Sequence, residues 1–98
     1  MATVGITYFR AYPVEESTAV IEVSDMVSEV KTSSASSQAT TATATLGRNY
    51  VRVSASGGNI YLAFGASPTA VTGTGFLILD GTSEVFHLVD GYKVAIID

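Results

Sequence analysis

The sequence contains no cysteine and no tryptophan, and only 14% of its 98 residues are charged. Without cysteine there are no disulfides, no thiol nucleophile and no cysteine-based zinc site, whatever the compartment. Five Lys and Arg stand against nine Asp and Glu, which leaves a net charge of −4. Because phosphate binding requires a concentrated basic surface, this composition argues against a nucleic-acid partner.

Long apolar runs are also absent. No stretch approaches the roughly 18 apolar residues of a membrane-spanning helix. The opening residues, MATVGITYFR, contain neither the basic region nor the apolar core of a signal peptide. We therefore expect no membrane partner.

Catalytic and metal-binding patterns are missing as well. His87 is the only histidine, so it has no second imidazole with which to form a metal pair, and no GxSxG motif marks a serine nucleophile. Asp80 and Glu84 frame the turn DGTSE, but a convincing calcium loop would offer more acidic ligands. The sequence predicts no enzyme, no metal site and no cofactor.

The residues that are present predict one folded domain, residues 1–98. Apolar residues make up 47% of the chain, the opposite of a disordered composition, and a chain of this size buries roughly two thirds of its unfolded surface. A surface of Ser, Thr, Ala and Gly with few charges suits permanent contact with protein neighbours. It is equally typical of a Thr-rich β surface with no partner, and composition leaves both interpretations open.

Short runs of period-two alternation, separated by glycine-bearing turns, indicate β-strands. YVRVSAS and NIYLAFG flank Gly57 and Gly58, which predicts an antiparallel hairpin. GFLILD, EVFHLVD and YKVAIID are separated by the Asp-Gly pairs at 80–81 and 90–91, which predicts a three-stranded meander.

The N-terminal third adds the probable strands TVGITYFRAY and STAVIEV. Around residues 24–31 helix and strand signals compete, because Ser24 or Asp25 could cap a short helix. Counting about eight strands at roughly 8–12-residue spacing predicts an all-β fold, a small antiparallel β-sandwich or a jelly-roll-like barrel. A short helix near 25–31 remains an alternative within it.

A first candidate interface lies in the bland segment TSSASSQATTATAT. At its end Thr41, Thr43 and Thr45 alternate with Ala42 and Ala44, which predicts a strand with small side chains on both faces. Such a strand has a weakly specified register and an edge open to pairing with another subunit. The alternative is an ordinary edge strand that follows a mobile loop.

A second candidate interface comprises Arg48, Tyr50 and Arg52, which stand at period two and are predicted to share one strand face. On an acidic protein this pattern favours a protein interface, where Tyr and Arg are enriched. The alternative is an exposed face whose arginines pair with Asp or Glu of the same chain.

Two elements stand out within residues 46–98, YVRVSASGGNIYLAFGASPTA and the closing pattern G-x-x-E-x-F-x-L-x-x-GYKVAII. Through these elements the C-terminal half resembles small virion structural proteins of tailed bacteriophages. The resemblance implies a capsid cement (decoration) protein, made in the host cytoplasm and bound to the capsid surface. Its partners would be the major capsid protein and copies of itself, with a homotrimer expected.

Two other functions stay open. One is a head-fibre base or tail-associated module of the same virion. The other, from a different class, is a carbohydrate-binding β-sandwich, which normally exposes several aromatic residues on one platform. The chain has no Trp, and its five tyrosines lie on predicted strands that do not obviously converge; they are Tyr8, Tyr12, Tyr50, Tyr61 and Tyr92.

Overall fold

The computed structural model describes residues 1–14 and 18–98, with side chains described outside 11–25. The described residues form eight β-strands and no helix. The strands are β1 (Thr3–Val14), β2 (Thr18–Thr32), β3 (Gln38–Ala39), β4 (Tyr50–Ser56), β5 (Ile60–Gly65), β6 (Phe76–Ile78), β7 (Ser83–His87) and β8 (Lys93–Ile97). The predicted all-β fold is confirmed.

The strands form two four-stranded antiparallel sheets, sheet A in the order β2-β1-β4-β7 and sheet B in the order β3-β8-β5-β6. Only the connections β1–β2 and β5–β6 stay within one sheet, and the other five cross between the sheets. The predicted β-sandwich is therefore confirmed, and its winding alternates between layers.

The core lies between the inner faces of the two sheets, where the period-two pattern places its apolar residues. Val51 and Val53 of β4 and Ile60 and Leu62 of β5 are almost fully buried in one cluster. A smaller cluster on the outer face of sheet B packs Ala70, from the loop 66–75, over β8. The loop thus covers sheet B from outside, while the outer face of sheet A has no corresponding loop cluster among the described residues.

The alternative of a short helix near 25–31 is wrong. Residues 25–31 belong to β2 and pair with β1, with Glu29 opposite Ile6 and Lys31 opposite Val4. Pairing with the neighbouring strand β1 satisfies the backbone groups on one edge of this segment, and that pairing overrides the local capping signal.

The predicted strand pairings in the C-terminal half are also wrong. β4 pairs with β1 and β7, whereas β5 pairs with β8 and β6, so the turn at Gly57 joins two sheets and not two hairpin strands. The meander fails for the same reason, because β7 lies in sheet A and its two sequence neighbours lie in sheet B. Gly57, Gly81 and Gly91 do have the expected positive φ, 97°, 80° and 89°. The chain reverses at each turn, but into the opposite layer.

The two ends of the sandwich differ. At one end, named the His87 end, Phe9, Tyr50 and His87 are aligned across β1, β4 and β7. Beyond this row, residues 10–14 of β1 pair only with residues 18–22 of β2. At the other end the Met1 ammonium lies 3.6 Å from the carboxylate of Asp98. The chain therefore starts and finishes at the end opposite His87.

Candidate interaction surface

The predicted Thr/Ala strand does not form. Strand β3 comprises only Gln38–Ala39, and the residues that follow it are not a strand. Thr41 is exposed while Thr43 and Thr45 are half-buried, so they share no flat face. The Glu29 carboxylate accepts hydrogen bonds from the backbone N–H groups of Thr41 (3.0 Å) and Ala42 (2.7 Å). This anchor on β2 holds the segment against the side of the sandwich, where it covers the core.

A buried hydrogen-bond chain holds the same segment from inside. The Val94 N–H donates to the Tyr8 hydroxyl (3.2 Å), Tyr8 lies 2.7 Å from the Thr40 hydroxyl, and Thr40 donates to the Ala42 carbonyl (2.9 Å). Burial raises the pKa of Tyr8 above its ordinary value of 10.0, an effect that the hydrogen bonds with Thr40 and Val94 partly offset. The small side chains of this segment therefore serve the core of the chain itself.

The predicted common face of Arg48, Tyr50 and Arg52 is half right. Strand β4 begins at Tyr50, so Arg48 lies outside it, in a turn at 45–48 closed by two backbone hydrogen bonds with Thr45 of 3.1 and 3.0 Å. Tyr50 and Arg52 do share the outer face of sheet A. Arg52 is exposed and donates to the Ser83 hydroxyl (3.2 Å), not to the carboxylate that the alternative required.

An aromatic row crosses the outer face of sheet A at the His87 end. The ring of Tyr50 stacks on Phe9 at 6.0 Å between centroids and lies 5.0 Å from the ring of His87. The Nε2 atom of His87 is 3.0 Å from the Asn49 side-chain nitrogen. Tyr50 is thus fixed by contacts on both sides and is half-buried, and it presents its remaining surface beside Arg52.

Beside this row the sandwich is open between its edge strands β6 and β7. Three phenylalanines bridge the two sheets there, with Phe86 4.8 Å from Phe64 and 5.0 Å from Phe76 between ring centroids. Phe76 is nevertheless exposed, because no further strand covers this side. On β7, Val85 faces outward next to Arg52 and is 55% exposed.

A groove of about 220 Å³ continues this apolar side at the His87 end. Its lining residues are Phe64, Phe86, His87, Leu88, Val89 and Tyr92. We name the exposed apolar residues Phe76, Val85, Val89 and Tyr92, together with this groove, the β7 surface. None of the described lining residues is an acid, a lysine or an arginine.

Sequence reasoning missed this surface, although one signal for it was present. EVFHLVD contains five residues without a charge between Glu84 and Asp90. The alternation in it predicted a strand, but the expected meander would have covered that strand on both edges. In the structure β7 is an edge strand, so its apolar residues are exposed.

Among residues 1–10 and 26–98, whose side chains the structure describes, no three His, Asp or Glu side chains are close enough to hold a metal ion. The described part of the chain also has no helix long and apolar enough to span a membrane.

Comparisons of the chain with protein-family models, with curated proteins and with solved structures found no significant match. The resemblance to virion proteins therefore stays a prediction, and the β7 surface is interpreted from its own chemistry.

Proposed function

We propose that this chain is a non-enzymatic structural protein of a phage virion, which binds the assembled capsid shell in many copies and stabilises it. The observation that carries the proposal is the β7 surface, where Phe86 contacts Phe64 and Phe76 at the open side of the sandwich and, with Phe64, continues into the apolar groove. Connected apolar surface of this kind marks sites of protein contact, whereas scattered single residues do not.

The surroundings of the β7 surface suit a protein partner. Tyr50 and Arg52 lie beside Val85 on the outer face of sheet A, and Tyr and Arg are the residue types most enriched at interface centres. Tyr50 is held between Phe9 and His87, so little conformational entropy is lost when a partner covers it.

A module with such a surface would stabilise a shell by mass action. Because it binds the assembled lattice and not the separate subunits, each bound copy shifts the equilibrium towards the assembled state. Weak single contacts are sufficient on a repetitive lattice, since multivalency raises the total avidity. The alternating winding of the two sheets is typical of jelly rolls, an architecture of viral capsid and lectin domains, which is support by analogy only.

The two alternative functions differ in how well the β7 surface and the tyrosines support them. A head-fibre base or tail-associated module would use the same β7 surface. A carbohydrate-binding sandwich finds less support, because the described tyrosines do not form a platform: Tyr8 is buried, Tyr50 lies on sheet A and Tyr61 on the outer face of sheet B. The groove is also smaller than the roughly 300–1,000 Å³ of small-molecule pockets.

The test is co-sedimentation of the purified protein with capsids of the phage that encodes it, prepared without this protein. We expect saturable binding and a higher temperature of shell disruption. Val85→Asp should weaken binding, while Val71→Asp is the matched control, because Val71 is equally exposed (54%) but lies in the loop over sheet B. Equal loss in both variants, or no binding by the wild type, would contradict the proposal. Binding in a glycan screen would favour the carbohydrate alternative.

A further inference from the structure

Leu46 is the most exposed of the large apolar side chains among the described residues, at 86%. It stands at the tip of the turn 45–48, whose two ends are joined by the hydrogen bonds between Thr45 and Arg48. These hydrogen bonds close the turn at its base, so the turn needs no apolar residue at its tip for folding. The Leu46 side chain projects from this fixed turn into water and has no partner, and we name it the knob.

This turn adjoins the groove. On one flank the Ala44 N–H donates to the Tyr92 carbonyl (2.8 Å), and on the other the Leu88 N–H donates to the Asn49 carbonyl (2.8 Å). Tyr92 and Leu88 both line the groove. The knob and the groove therefore lie side by side at the His87 end of the same molecule.

The groove suits a single apolar side chain better than a small molecule. Its lining is five apolar or aromatic residues and His87, so it lacks the converging polar groups that orient ligands in their pockets. At about 220 Å³ it is too small for a typical ligand and large enough to admit one bulky side chain.

We infer that copies of this chain associate at the His87 end, with Leu46 of one copy seated in the groove of another. The inference rests on the proposed function only in that a cement protein was expected to bind copies of itself. Because knob and groove lie on one end, a two-fold pair or a closed ring of three fills every groove and covers every knob.

Charge and area are consistent with this occupant. The groove lining contains no Asp, Glu, Lys or Arg, so an apolar side chain seated there meets none of these charged groups. A stable interface needs roughly 800 Å² from each partner, about a seventh of the 5418 Å² surface of the described chain. The groove would form the centre of that area and the turn 45–48 its rim, while Phe76 and Val85, which do not line the groove, would stay available for contact with the shell.

The first test is the solution mass by light scattering over a micromolar concentration series. We expect the wild type to reach a multiple of 10.2 kDa, and Leu46→Ser to raise the dissociation constant about tenfold or more, as the loss of a buried leucine predicts. Val71→Ser, which removes an exposed apolar side chain (54%) from the loop over sheet B, should leave association unchanged. A wild type that stays monomeric, or equal association of both variants, would overturn the inference.

The second test uses the absence of cysteine. Leu46→Cys chains mixed with Val89→Cys chains should form a disulfide between the two chains more readily than Leu46→Cys mixed with Val71→Cys. Equal yields would overturn the contact even if the protein is oligomeric. A monomer that still binds capsids would refute this contact and leave the proposed function standing, and an oligomer that ignores capsids would do the reverse.

Discussion

Gly75 lies directly before Phe76, the first residue of β6, so its backbone conformation positions Phe76 on the β7 surface. We predict that Gly75→Ala destabilises the fold much more than Gly73→Ala, although both glycines lie in the same loop and have positive φ, 93° and 84°. A Cβ atom at Gly75 would overlap the backbone carbonyl of Leu62 on β5, whereas one at Gly73 would meet nothing within 4 Å.

The magnitude follows from two terms. A left-handed conformation costs a residue with a Cβ atom roughly 1–2 kcal/mol, and both variants carry this term. Only Gly75→Ala must also displace a backbone carbonyl in a strand whose Leu62 side chain is almost fully buried. Overpacking of this kind costs about 1–3 kcal/mol. The free energy of unfolding should therefore fall by about 2–5 kcal/mol for Gly75→Ala and by about 1–2 kcal/mol for Gly73→Ala.

The assay is urea unfolding of the wild type and both variants, followed by circular dichroism, with the free energy of unfolding extrapolated to water. Equal losses in the two variants would refute the reasoning, because they would mean that β5 gives way to the added methyl group without cost. The wild-type free energy of unfolding is the reference for both losses, since a domain of this size has a total of about 5–15 kcal/mol.

The remaining predictions concern the two anchors of the Thr/Ala segment. Because the pKa of Tyr8 is raised in the fold, its contribution to stability is complete below about pH 10 and is lost as pH rises through the raised value. Tyr8→Phe should lower the free energy of unfolding by about 1 kcal/mol at neutral pH. In thermal melts it should also lessen the loss of stability at alkaline pH, whereas Tyr61→Phe should leave that loss in place. An unchanged alkaline loss in Tyr8→Phe would contradict the assignment of this loss to Tyr8. Glu29→Gln should lower the free energy of unfolding by about 1–2 kcal/mol. It should also speed hydrogen exchange at the backbone amides of Thr41 and Ala42, which donate hydrogen bonds to this carboxylate. Glu84→Gln on the exposed edge is the control, and equal exchange in the two variants would show that Glu29 is not the anchor.

The sequence predicted the strands well because alternation is a local property. Ile60 and Leu62 point inward, as their period-two spacing requires, and the Asp-Gly turns at 80–81 and 90–91 occur where expected. Pairing could not be predicted in the same way. A glycine with positive φ reverses the chain, but the same residues serve a hairpin and a turn that crosses to the opposite sheet. Which of the two forms depends on the partners of the next strand, and these lie far away in sequence.

The candidate interfaces show the same limit. Thr41, Thr43 and Thr45 alternate as a strand would, but the residue that decides their conformation is Glu29, a distant acceptor that no local pattern reveals. The shared outer face of Tyr50 and Arg52 was predictable because both residues lie on one strand. The exposure of Leu46 could not be predicted, because a single leucine in a turn has no periodicity. Its exposure depends on how the turn 45–48 closes.

The position of the chain ends has a practical consequence. Met1 and Asp98 lie together at the end of the sandwich opposite His87. If the His87 end carries the contacts proposed above, a cargo joined to either end of the chain would project from the far side of the bound module. An antigen, an enzyme or a fluorescent label joined there would then be displayed away from the partner, with the attachment chemistry kept apart from the binding surface.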